Sequence, residues 1–87
     1  MFNNLYEEIN NCISVVDNEI NLHKKNMKAD GDVETLNIIK QQLIDMSKYM
    51  SPRKYIPNYN YIIRDSLWNY LKIADVLLRV YHKYIKL

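Results

Sequence analysis

Thiol and imidazole groups, the side chains that titrate nearest neutral pH, are few in this sequence: one cysteine and two histidines. Cys12 falls between Ile9 and Val16 on an apolar helical arc. A cysteine there behaves as a small hydrophobe with a raised pKa, so it is expected to pack and not to react. His23 also points to an apolar side, near the end of the first helix and one turn from Glu19, which reads as a satisfied structural histidine. His82 sits in a polar stripe beside Arg79, Lys83 and Lys86, with no carboxylate one turn away to orient it as a base. No Cys or His pair has zinc-ligand spacing, no glycine-rich turn could cradle a phosphate, and no serine sits on a nucleophile elbow. The acid pair Glu7-Glu8 needs no catalytic role, because negative charge complements the dipole of a helix start. The expectation is a protein that is not an enzyme, with no metal and no cofactor.

Binding chemistry is better represented. Tyr49, Tyr55, Tyr59 and Tyr61 fall within thirteen residues, interleaved with Lys48, Arg53 and Lys54. Tyr and Arg are common at protein interfaces because they join large rigid area to a polar tip. The single tryptophan, Trp68, projects into a charged helical stripe with Arg64 and Lys72 one turn to either side. An aromatic anchor among cations is the residue type most enriched in binding hot spots. The candidate partner-binding set is therefore Arg53, Lys54, Tyr55, Tyr59, Tyr61, Arg64, Trp68 and Lys72.

These residues need a scaffold, and the periodicity predicts an all-α one. The 87 residues suit a single domain, 1–87, and only two places punctuate it: 28–32, with the one glycine, and 51–60, with both prolines. Three helices are expected, at about 4–28, 32–50 and 60–86, forming a three-helix bundle. Asn4 with Glu7 reads as the first cap, Asp32 or Asp30 as the second, and Asn58 or Asn60 as the third. Ser51 precedes a proline and so ends the second helix. The first two helices each carry one apolar stripe. The third spreads Ile63, Leu67, Tyr70, Leu71, Ile73, Ala74, Leu77, Leu78, Val80, Tyr81, Tyr84 and Ile85 over roughly 220°. That breadth suits either a third helix seated in the groove of two others or a homodimer formed through this helix. The second helix is the shortest, so the 51–60 connection is expected to be an ordered lid, with Tyr55, Ile56 and Tyr59 over the first turns of the first and third helices.

A formal charge of +2 is too mild for a chain that lives on phosphate contacts. Nucleic acid is thus the less favoured partner, through Arg53, Lys54, Arg64, Lys72 and Arg79. Neither a secretory signal nor an apolar run of membrane-spanning length is present in the sequence, so a cytosolic location without membrane contact is expected. In size and helicity the chain resembles small helical immunity, antitoxin or phage-encoded inhibitor proteins. The likeness is one of architecture without a diagnostic motif, and it implies a chain that occludes a partner protein.

Overall fold

Three backbone positions bound the first two helices. Asn26 takes a left-handed conformation at φ 58°, which asparagine tolerates better than most residues, and its N–H donates to the His23 carbonyl. Asp32 is extended, and its Oδ2 accepts from both the N–H and the hydroxyl of Thr35, the arrangement of an N-cap. Met50 is left-handed at φ 49° and donates its N–H to the Met46 carbonyl at 2.8 Å. A computed structural model describes the backbone of residues 2–26, 32–65 and 72–87. Among these residues there are four helices and no strand: α1 (Phe2–Lys24), α2 (Val33–Tyr49), α3 (Tyr59–Asp65) and α4 (Lys72–Ile85).

The first two helices follow their sequence pattern with shifted ends. The Asp32 cap and the stop before Ser51 are where the sequence places them. The Asn4 cap is not: α1 is already helical at Phe2, and it ends at Lys24 because Asn26 turns the chain. Leu5, Ile9, Cys12, Val16 and Ile20 of α1 meet Leu36, Ile39, Leu43 and Met46 of α2 in the core. Lys40 and Asp17 close their flank at 2.6 Å.

The continuous third helix is corrected. The Tyr59 hydroxyl donates to the Leu77 carbonyl at 2.6 Å, and the Tyr59 and Tyr81 rings meet at 5.7 Å, edge to face. On one uninterrupted helix residues 59 and 77 would lie about 27 Å apart. Hence α3 and α4 are separate helices packed against each other, and the three-helix bundle becomes a four-helix arrangement of α1, α2 and α4 with the short α3 laid on α4. The apolar arc narrows accordingly. The buried residues of α4, Ile73, Ala74, Leu77, Val80, Tyr81 and Tyr84, span only about 120° of the helix wheel. α1, α3 and the connection cover them.

α1 and α4 run antiparallel, since Glu8 pairs with Lys83 at 2.7 Å while the Cys12 thiol faces the Val76 carbonyl at 3.9 Å. The start of α1 and the end of α4 therefore share one end of the bundle, and the 50–58 connection is fastened there. The Tyr84 hydroxyl reaches the carbonyls of Ser51 at 2.9 Å and Tyr55 at 2.8 Å, and the Tyr55 N–H turns back onto the Ser51 carbonyl. At its far end the connection is tied to α2 by a reciprocal amide pair. The Asn58 N–H donates to Gln42 Oε1 at 2.9 Å, and Gln42 Nε2 donates to Asn58 Oδ1 at 2.6 Å. The expected lid is thus ordered, but it closes on the last turn of α4 instead of the first turn of a third helix. Its buried residue is Pro57, while Ile56 stands 66% exposed.

Replacing Tyr84 with Phe keeps the ring and removes the hydroxyl shared by two carbonyls. It is expected to lower unfolding free energy by about 1–3 kcal/mol in urea titration, with helicity retained. Tyr6→Phe, at an exposed site, is the control and should change stability by less than about 0.5 kcal/mol.

Candidate functional site

With the connection fixed at both ends, every sequence-predicted binding residue but Trp68 has a defined setting. Arg53 and Lys54 are exposed in the turn after Met50. Tyr55 is half-buried, its ring stacked on Tyr49 at 6.0 Å and 26°, while Lys48 lies over the Tyr49 ring at 5.4 Å. Burial pushes the Tyr55 hydroxyl pKa up, helped by the negative charge of Asp45. Tyr59 is corrected from binding residue to core: it is 0% exposed and its hydroxyl is satisfied by Leu77. Tyr61 is 57% exposed one step further round α3, with the Arg64 guanidinium over its ring at 5.5 Å. Lys72 is exposed at the start of α4. Trp68 lies outside the described residues.

The predicted set therefore divides. Arg53, Lys54 and Tyr55 gather at the bundle end beside Lys48 and Tyr49, whereas Tyr61 and Arg64 face out from α3. The cations are unequal in availability. Lys40, Lys83 and Arg79 are engaged by Asp17, Glu8 and Asp75, the last at a long 3.8 Å. Arg64 has no carboxylate partner among the described residues.

One local feature escaped the sequence pattern. Between α3 and α4 runs a cleft of about 270 Å³ lined by Asn60, Ile63, Arg64, Leu78 and His82. Asn60 is only 8% exposed, and its Oδ1 is buried without a hydrogen-bond partner. Such an orphan acceptor costs about 1–3 kcal/mol, so natural proteins keep few of them. The available signal was a polar residue between Tyr59 and Ile63, both inward-facing. The periodicity made Asn60 a candidate cap, but Asn58 is the residue that precedes α3.

Candidates for covalent and metal chemistry look different in three dimensions. Cys12 is fully buried, and burial foremost, then the charge of Glu8, raises its thiol pKa to about 11. His23 is half-buried in the last turn of α1 and His82 is exposed, its ring edge-on to Tyr81 at 5.6 Å. Among the described residues no three His, Cys, Asp or Glu side chains are grouped to hold a metal ion, and no helix is long and apolar enough to cross a membrane. No protein-family model matches this chain, and neither a curated protein nor a solved structure matches it.

The buried thiol and phenol give the fold a defined alkaline limit. Burial raises the Tyr59 hydroxyl well above the usual phenol range, and Cys12 to about 11, whereas in the unfolded chain they titrate near 10 and 8.5. Above about pH 9 the unfolded state holds fewer of these protons than the folded state, so stability must fall as pH rises. The urea midpoint is expected to drop progressively from pH 9 to 11, less steeply in Cys12→Ala. In the native protein at pH 8 only about one thiol in a thousand is ionised, so a disulfide reagent should label Cys12 only after denaturation. Rapid native labelling, or a midpoint unchanged to pH 11, would contradict this assignment.

Proposed function

We propose that this chain is a non-enzymatic binding module that occludes part of another protein, as an inhibitor, antitoxin or immunity-type protein does. The observation that carries the reading is the alternation along the connection and α3. Pro57, Tyr59, Asn60 and Ile63 are buried, while Ile56, just before Pro57, and Tyr61, between Asn60 and Ile63, project outward at 66% and 57% exposure. These are the two most exposed large hydrophobic side chains among the described residues. Their backbone is held by Tyr84, Gln42 and Leu77, so docking would order little that is not already ordered, which keeps the entropic cost of association low. Arg64, over Tyr61, adds a charged rim.

The Lys48, Tyr49 and Tyr55 cluster with Arg53 and Lys54 supports a second reading, single-stranded nucleic acid bound by stacking and phosphate contacts. It is the weaker one, because Tyr49 and Tyr55 already stack on each other and the net charge is only +2.

Replacing Ile56 and Tyr61 together with Ala removes mostly exposed area and the surface contact between Tyr61 and Arg64. The double variant should unfold within about 0.5 kcal/mol of the parent, yet lose at least about tenfold in affinity for the protein captured from the native host. Equal capture by both would refute the reading. An oligonucleotide titration separates the alternative: four phosphate contacts would give a log–log salt slope near −3.

A further inference from the structure

We infer that the α3–α4 cleft is a site for the C-terminal residue of a partner polypeptide, one that carries an aliphatic side chain. This deepens the binding reading by naming the chemistry of one anchor, and it rests on that reading for the partner being a protein.

Size comes first. The cleft, about 270 Å³, has room for one aliphatic residue with its carboxylate. Ile63 and Leu78, both packed against the core, supply the apolar walls. At the rim stands Arg64, a planar fork suited to a carboxylate, free of any acid among the described residues and steadied against the Tyr61 ring. His82, edge-on to Tyr81, adds a ring N–H from the α4 side.

Asn60 decides between anions. Its Oδ1 lacks a donor among the described residues, so no bond to that oxygen has to break for the amide to rotate about its broad terminal torsion toward the cleft that Asn60 lines. A phosphodiester offers acceptors only and leaves Asn60 unpaired. A C-terminal residue carries a carboxylate for Arg64, a main-chain N–H for Asn60 and an apolar side chain for Ile63 and Leu78, all radiating from one carbon.

The test is an NMR titration of the full chain with acetyl-Gly-Leu bearing a free carboxylate, its C-terminal amide, and 4-methylpentanoate, which lacks the N–H. The acid is expected to shift the Ile63 and Leu78 methyls and the Arg64 Nε–H saturably, at least about tenfold more tightly than the other two. Arg64→Gln, at an exposed position, should abolish the preference for acid over amide. No saturable shift by about 10 mM, equal binding of acid and amide, equal binding of 4-methylpentanoate, or an unchanged preference in Arg64→Gln would each overturn the assignment. The titration uses no host partner, so its failure would leave the capture result for Ile56 and Tyr61 standing, and failure of capture would leave the peptide result standing.

Discussion

A single hydroxyl, that of Tyr84, accounts for where the outer surface of this protein lies. It reaches two carbonyls, at Ser51 and Tyr55, and thereby closes a turn that the backbone alone would hold through the amides of Lys54 and Tyr55. The ring beneath it is fully buried. A phenol suits this position because it adds core area and brings its own hydrogen-bonding group to carbonyls that lie beyond the end of α2. Tyr59 repeats the device against Leu77. Two tyrosines thus fasten the middle of the chain to α4 without lengthening any helix. Everything that projects from 51 to 64 does so because these two rings are turned inward.

How much of this was legible in the sequence depended on whether a residue's role follows from local chemistry. Asp32 and the Ser51-Pro52 stop act on their own backbone, and both lie where the sequence puts them. Cys12 follows from its neighbours on the wheel, and it is buried. The separation of α3 from α4 was not legible, because neither Gly nor Pro occurs between 60 and 86 and the helical period runs on without a break. Two helices drawn on one wheel produce an arc too broad for either, and that excess read as a surface for a second copy. Tyr59 and Tyr61 illustrate a second limit. Tyrosine is at home on either side of a surface, so its type does not decide whether it packs or binds. Only the fold separates Tyr59, with its hydroxyl on Leu77, from Tyr61 beneath Arg64.

Charge plays a subordinate part. The ion pairs between Asp17 and Lys40 and between Glu8 and Lys83 are partly exposed and join helices that the apolar core already holds together. Pairs of this kind contribute about 0–1 kcal/mol, so they tune the packing of α1 and do not create it. Pairing does, however, decide which cations remain for other work. Arg64, with Tyr61 beneath it and Asn60 behind it, combines a charge and a buried acceptor that have no partner among the described residues with an exposed ring, within five residues of one short helix. Nowhere else among the described residues do those three features coincide.

The account stands on the connection being as fixed as the helices it joins, for a loose segment could neither present Ile56 and Tyr61 nor hold α3 beside α4. Native-state hydrogen exchange at the Tyr55 and Asn58 amides measures this directly, since one donates to Ser51 and the other to Gln42. The structure predicts that both exchange only with the opening that also releases the amides of α2 and α4. Exchange at the rate of an unfolded chain, while α1 and α2 stay protected, would contradict it.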